Sequence, residues 1–432
     1  MKQPSVPSYY AATATSYEAY APLQGRQEAR VAIIGGGYAG LNTALGLVER
    51  GVPDVVLLER EKIGFGASGR NGGFVFAGYS LGEQALLDQL GEMRARALFG
   101  LTTAAVERIR TRIVQYAIGC DAVDEGVIWA NWFRDPEVLR RRQQLLAEHY
   151  GVHWDWLPQE QLHERVRSPR YRDGLYERNA LHLHPLNYAI GLANAAAGQG
   201  VRVHEESEAW RLKREGSRWL VSTAHGELLA DQVVLACGGY LAGLRKPIDR
   251  AVLPIATYVM ATEPLGERLD ECLATRAAVY DSRFAFDYYR PLPDKRLLWG
   301  GRISIRNRSP QAVQRLLRRD LARVFPQLKD AKIDYAWSGL MSYARHQMPQ
   351  LGRGEGDDAG LWWAQAFGGH GLAPTCAAGE LLAAAIAEGD EGWKQFSNYG
   401  LANTHKPFGL LAAQLNYWWQ QARDGFKTRL EG

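Results

Sequence analysis

The sequence predicts an α/β chain (α+β overall), with a parallel layer interleaved with a mostly antiparallel sheet. Three observations carry this. Short β-branched runs flank glycine turns near residues 30–60 and again near 230–240. Apolar and polar residues alternate through 250–335, as in an antiparallel sheet with one face covered. Amphipathic helical spacing fills most of 81–175. The 432 residues are 46% hydrophobic and 23% charged, enough for two or three domains around a large core. Lys plus Arg is 51 against 47 Asp plus Glu, so the net charge of +4 is too small to point to nucleic acid. No apolar run reaches the roughly 18 residues of a membrane span. The N-terminus lacks a secretory pattern, and four scattered cysteines suggest a reducing, cytoplasmic setting.

Residues 1–28 are polar and alanine-rich, with Tyr9, Tyr10, Tyr17 and Tyr20, and are expected to lie as an arm over the surface. Arg30-Val31-Ala32-Ile33-Ile34 then reads as a buried strand. Gly35-Gly36-Gly37-Tyr38-Ala39-Gly40 follows at once, and Leu41, Ala44, Leu45 and Val48 continue at helical spacing until Gly51. Residues 54–59 form a second buried strand that ends in Glu59. Strand, glycine turn, helix, strand and acid make the Rossmann-like βαβ unit. Gly35 permits the turn, Gly37 admits a pyrophosphate, and Gly40 lets helix and strand approach. The helix N-terminus offers free N–H groups to the phosphates. Glu59 lies 59 − 40 = 19 residues beyond the last glycine, placed to bind a ribose hydroxyl and to disfavour a 2′-phosphate.

The next segment, residues 63–73, is glycine and small polar residues running into Phe74-Val75-Phe76. Gly66, Ala67, Ser68, Arg70, Asn71, Gly72 and Gly73 can bring several backbone N–H groups against a flat or anionic ligand. Arg60 stands beside Glu59 at the same site. Here the sequence resembles the flavoprotein oxidases of the D-amino-acid/glycine/sarcosine oxidase type, and most of all the bacterial gamma-glutamylputrescine oxidases. The resemblance rests on Ser8-Tyr9-Tyr10-Ala11-Ala12, the Gly35–Gly40 turn with Glu59, the 63–73 loop and Gly368-Gly369-His370-Gly371-Leu372, and it spans nearly the whole chain.

The resemblance implies FAD as cofactor and assigns further residues. Backbone near Ala209 is placed beside the adenine, and the turn of Ala236, Gly238 and Gly239 near the nucleotide. The glycine turn at Gly369, His370, Gly371 and Leu372, opening a helix to about residue 388, is placed at the flavin carbonyl that gains charge on reduction. His370 is a candidate for the active-site wall or a cap of its own turn. Tyr288 falls on a substrate-contacting position, and Arg290, two residues on, shares its sheet face. Tyr258 and Met341 are candidate pocket residues. Glycine oxidases carry a carboxylate-binding arginine where this chain has Met341, which speaks against a simple α-amino acid. No cysteine lies between Cys272 and Cys376, where sarcosine oxidases attach their flavin, and the 63–73 loop has no histidine, so the FAD is expected to be non-covalent.

The remaining elements carry no chemistry by sequence. Helices are expected at 105–116 and 136–150, with Arg140-Arg141-Arg142 on a solvated face, around a short strand at 127–131. His182 and His184 lack a third ligand and read as ordinary polar residues. Cys237 reads as a packing residue. Leu411, Leu415, Trp418, Trp419, Ala422 and Phe426 form one stripe of a tail helix, expected to dock on the protein itself rather than on a membrane or partner. The expected division is an arm over 1–28, an FAD-binding domain over 29–80, 176–250 and 336–390, a substrate domain over 81–175 and 251–335, and a tail over 391–432. The expected activity is oxidation of an amine C–N bond, possibly in a gamma-glutamylated polyamine, with oxygen as acceptor. A dehydrogenase feeding a quinone or protein, a non-catalytic flavoprotein and an NAD-linked dehydrogenase are the alternatives.

Overall fold

The computed structural model describes residues 7–431, so residues 1–6 of the expected arm lie outside the described residues. One eight-stranded sheet runs in the order Gln350–Arg353, Leu361–Gln365, Gly226–Leu235, Gly25–Ile34, Val55–Leu58, Arg202–His204. From Leu361–Gln365 onward these strands are parallel, and a hairpin of Arg211–Glu215 and Arg218–Ser222 hangs on Gly226–Leu235. The unbroken apolar runs follow from burial of both faces. Val31, Ile33, Val55 and Leu57 pack into the core beneath helices Tyr38–Glu49 and Leu372–Glu388. Ala32, Ile34, Val56 and Leu58 pack on the other side with Trp219 and Leu235.

The helix Glu92–Gln115 is longer than its periodicity suggested, and its fully buried Arg112 ties three helices together. That guanidinium donates to Glu49, Glu380 and the Asn42 side chain. Two carboxylates and an amide satisfy the charge that burial would otherwise penalise.

The second eight-stranded sheet runs in the order Ile333–Tyr343, Leu253–Thr262, Leu297–Ser304, Asp287–Pro291, Ala278–Asp281, Val127–Ala130, Gly174–Glu177, Asp155–Leu157. It is antiparallel except where Ala278–Asp281 pairs with Val127–Ala130. One face buries Tyr289 stacked on Trp299, centroids 4.7 Å apart, against Phe325 and the helix Pro310–Val324. The opposite face looks toward the first sheet's loops. Ile333–Tyr343 runs wholly in this second sheet, so the chain crosses between layers after Tyr343 and not at 336.

Three expectations change with the tertiary structure. The arm lies over the surface only from residue 11 to residue 22, and its start is an anchor: Tyr9 and Tyr10 are buried among Val259, Leu298 and Trp337, and Ser8 caps the turn Tyr9–Ala12. Two adjacent aromatic side chains gain more by filling that gap than by remaining hydrated. Arg142 is not on a solvated face, as described below. The tail helix Phe408–Leu430 docks through its polar side and turns the apolar stripe outward. Leu411, Leu415, Trp418, Trp419 and Phe426 are all exposed, whereas Gln414, Tyr417 and Asp424 are buried. The reason is hydrogen bonding: Gln414 accepts from the Ile305 amide, Asp424 from the Phe284 amide, and Thr428 Oγ1 from Trp132 Nε1. No helix among the described residues is long and apolar enough to cross a membrane.

Candidate active site

A cavity of about 1120 Å³ runs between the two sheets. It exceeds the usual range for one small ligand, as a dinucleotide and a substrate together require. Its nucleotide end is built by the first strand and the turn after it. Gly35 has φ +119, and a Cβ there would stand 2.5 Å from the Ala236 carbonyl oxygen. The helix that follows begins at Tyr38 behind an N-cap, Gly37, that makes no side-chain cap, leaving amides directed outward. The Tyr38 amide donates to Ser68 Oγ at 3.0 Å, which fastens the glycine loop to the helix end.

Glu59 closes this end. Its Oε2 accepts from the Gly36 amide at 2.7 Å and its Oε1 from the Glu61 amide at 2.8 Å. Burial raises its carboxyl above the usual range, and the two amides pull it back. The 63–73 segment is an ordered turn around the short helix Ala67–Gly69. The Asn71 amide group donates to the Ala67 and Ser68 carbonyls, and its Oδ1 accepts from the Gly73 amide. Arg70 lies over Phe65, 4.4 Å from the ring centroid.

At the other end, Phe367 leads through Gly368 (φ +62) into the helix Leu372–Glu388, whose N-cap Gly371 again makes no side-chain cap. His370 Nε2 lies 3.1 Å from the Ala77 carbonyl and 3.3 Å from that of Phe76, so it carries the proton and donates. Burial holds the ring down to about 4, so it is neutral and a weak base. The Tyr288 ring lies under the loop: a Cβ on Gly72 would stand 2.5 Å from it, and one on Gly300 2.0 Å. Burial raises the Tyr288 phenol well above its ordinary value, so it stays protonated.

The cavity brings together most of the residues singled out by sequence. Gly35, Gly37, Tyr38, Ala39, Glu59, Arg60, Gly66, Ala67, Ser68, Arg70, Asn71, Gly72, Ala209, Ala236, Gly238, Gly369, His370, Gly371 and Leu372 line it, as do Tyr288 and Met341. Gly40 and Gly73 stand behind the wall. A Cβ on Gly40 would lie 2.0 Å from the Gly35 oxygen, and one on Gly73 2.1 Å from the Leu183 oxygen. His182 and His184 serve the frame: His182 Nε2 donates to the Arg276 carbonyl, and His184 Nδ1 caps the helix Pro185–Gly198. The Cys237 thiol donates to the Ile34 carbonyl and is pushed up to about 12 by burial, which leaves it inert.

Two site candidates, Tyr258 for the pocket and Arg290 for catalysis, stand outside the cavity. Tyr258 points to the far face of its strand, where its hydroxyl donates to the Arg306 carbonyl at 2.6 Å. Its neighbours Ile255 and Thr257 line the cavity instead, as a period of two demands. Arg290 is 2% exposed and lines nothing. Its guanidinium donates to the Gly72 and Leu183 carbonyls at 2.8 and 2.9 Å and approaches Tyr10 Oη and His182 Nδ1. It shares a face with Tyr288, but the loop and arm cover it before the cavity is reached.

Sequence reading missed a group on the remaining wall: Glu83, Trp129, Arg142, Tyr280, Asp281 and Arg283. The legible signal for Arg142 was its place at i+3 from Leu139 and i−4 from Leu146, on the buried face of the helix. Behind it, Glu177 is pushed up to about 8, chiefly by burial, with Arg142 opposing and Glu83 reinforcing. A raised acid adds stability below its unfolded value, and that stability is lost as pH rises through about 8. Between about pH 5 and about pH 9, the urea midpoint of the wild type is therefore expected to fall relative to Glu177→Gln. Parallel curves would show that this carboxyl is not held neutral.

A family model described as FAD dependent oxidoreductase matches residues 30–385. Gamma-glutamylputrescine oxidoreductase of Escherichia coli (strain K12) is 36% identical over 403 residues, spanning 93% of this chain and 92% of that protein. The probable oxidoreductase OrdL of Haemophilus influenzae is 33% identical over 405 residues, with 90% of each chain covered. The solved glycine oxidase from Geobacillus kaustophilus superposes with a TM-score of 0.71 at 24% identity, over 87% of this chain and 99% of that one.

Proposed function

The chain belongs to the FAD dependent oxidoreductase family, and on that premise we propose that it oxidises the C–N bond of an amine carried on a γ-glutamyl group. It is an FAD-dependent oxidoreductase with the fold of the glycine oxidase type. The residues present fit this cofactor. Two helix ends without side-chain caps open on one cavity, and an acid closes the nucleotide end. In this reading Glu59 and the Gly35–Gly37 turn hold the nucleotide half, while the 63–73 loop and Gly369–Leu372 hold the flavin. The first sheet then serves as the FAD-binding domain and the second as the substrate domain. Cys237, the cysteine that lines the cavity, is committed to the Ile34 carbonyl, which favours FAD held without a covalent bond. All four cysteines are free, which suits a reducing cytoplasm.

FAD supplies the two-electron acceptor for a hydride leaving the carbon beside nitrogen. The chain's own task is to orient and desolvate the amine. Free alkyl amines titrate near ~10, as lysine does, so the site must favour the neutral form. Phe74, Phe76, Tyr288 and Met341 give the cavity an apolar wall that disfavours an ammonium. Neutral His370 adds no positive charge and is too weak a base to take the amine proton itself. Arg283 and Arg302 also line the cavity but are neutralised by Asp281, Asp287 and Asp320. The oxidised substrate is an imine, and water splits it to an aldehyde and the released amine or ammonia.

The observation that carries the substrate reading is Met341. A thioether lines the cavity where the resemblance places the carboxylate-binding arginine of glycine oxidases, and a desolvated carboxylate beside it would lack a charged partner. The test is an anaerobic titration of the flavin band. A γ-glutamyl amine is expected to bleach it, whereas glycine and sarcosine leave it unchanged. Bleaching by neutral amino acids alone would overturn the reading. Oxygen consumption during turnover tests oxygen as the acceptor.

A further inference from the structure

The wall opposite the nucleotide end carries a polar group that the reaction as described does not use. A row of rings leads to it. Phe76 meets His370 edge-on with centroids 4.2 Å apart, stacks on Tyr280 at 5.6 Å, and Tyr280 stacks on Trp129 at 5.5 Å. The Arg142 guanidinium then lies 4.0 Å from the Trp129 ring centroid. All of these residues line the same cavity.

Arg142 is poised rather than spent. Its ion-pair partner is Glu83, through Nη2 alone, and its Nε is buried with no hydrogen-bond partner. A quarter of the side-chain surface, 25%, remains open. A guanidinium is planar, so its remaining donors lie in one plane, the geometry that suits a carboxylate. Glu83 beside it supplies an anionic acceptor for an ammonium. Cation and anion side by side are complementary to the zwitterionic head of an α-amino acid. The rings of Trp129, Tyr280 and Phe286, which lead from Arg142 to Tyr288, suit an apolar linker.

We propose that Arg142 and Glu83 form a distal subsite that binds the α-amino-acid head of the substrate, Arg142 taking the carboxylate and Glu83 the ammonium. The class of substrate is thus a long amine with a free amino-acid group at the end remote from the oxidised carbon. The head-group assignment deepens the amine-oxidase reading, but binding of the head alone does not depend on turnover.

The test therefore separates binding from chemistry. L-Glutamine carries the head and a carboxamide but no distal amine, and n-butyramide lacks the head. Calorimetry on the FAD-loaded, anaerobic protein is expected to show binding of L-glutamine and none of n-butyramide. Arg142→Gln is expected to weaken L-glutamine binding, and to raise KM for a γ-glutamyl amine at similar kcat, by about 100-fold. Arg142→Lys keeps the charge without the fork and is expected to recover part of the loss; it also decides the matter should Arg142→Gln not hold its flavin. Equal L-glutamine affinity in wild type and either variant, or equal affinity of wild type for L-glutamine and n-butyramide, overturns the subsite. If no amine is oxidised but L-glutamine binding depends on Arg142, the subsite stands and the amine-oxidase reading falls.

Discussion

Replacing Arg290 by leucine is expected to cost the protein most of its bound FAD and roughly 2–6 kcal/mol of stability, from the two carbonyls it leaves unpaired. The guanidinium is buried without an acid partner and is satisfied by backbone. Its loss orphans the carbonyls of Gly72 and Leu183, and a buried unsatisfied polar group costs about 1–3 kcal/mol. Gly72 belongs to the loop assigned to the flavin, and the Leu183 oxygen is also the atom that a Cβ on Gly73 would strike. Arg290 therefore straps the loop to the strand Leu181–His182 from behind. The same contact explains His182. Burial first, and then the Arg290 charge, hold its ring down to about 3, so its Nδ1 stays a neutral acceptor. Lysine at 290 is not expected to rescue, because a single ammonium cannot reproduce the directed set of bonds. Flavin content and the urea midpoint are the measurements. A stable variant with full flavin and only a raised KM would return Arg290 to the substrate.

Gly40→Ala is expected to be comparably severe, for steric reasons. The new Cβ would stand 2.0 Å from the Gly35 carbonyl oxygen and 3.3 Å from Ile33 Cγ2. Gly35 cannot yield, because its own turn at φ +119 already lies against Ala236. Overpacking costs typically 1–3 kcal/mol, and a collision with backbone in the first βα turn should reach about 3 kcal/mol or more. Gly37→Ala is the control. Its Cβ would meet the Ser68 hydroxyl at 3.0 Å, the end of a side chain that can rotate. The flavin-free Gly37 variant should fold close to wild type yet bind FAD weakly, whereas the Gly40 variant should be destabilised even without cofactor. Equal stability of the two apoproteins would show that Gly40 is not a packing constraint.

The difference between these variants marks how far local pattern reaches. The turn at Gly35, Gly37 and Gly40, the acid at Glu59 and the loop at 63–73 were legible because each acts within a few residues of itself. A strand run straight into glycines and then a 3.6-residue period leaves the backbone little choice, so residues and geometry are written in the same short segment. Met341 was legible only against the resemblance, which implies an arginine at that position in glycine oxidases.

Tyr258, Arg290, Arg142 and the tail were decided otherwise. Alternation shows that Thr257 and Tyr258 point opposite ways, but not which face meets the cavity; the packing of Pro310–Val324 on the Tyr258 side settled that. Arg290 and Tyr288 share a face, yet Tyr10 and the loop, some 280 and 220 residues away in sequence, reach Arg290 first. Arg142 reads as one of three exposed arginines until Trp129 and Glu83 are brought to it. The tail's stripe argued for burial by hydrophobicity alone, whereas the helix docks through Gln414, Tyr417 and Asp424 because the backbone amides it covers need acceptors.

By itself the sequence determined the nucleotide-binding unit and the alternation of layers, since these follow from periodicity and from glycines whose constraint is local, while FAD as the cofactor followed from the resemblance. Only the tertiary structure decided which charged side chains face the cavity. Burial of a charge depends on the partners that long-range contacts deliver, and no segment carries that information alone.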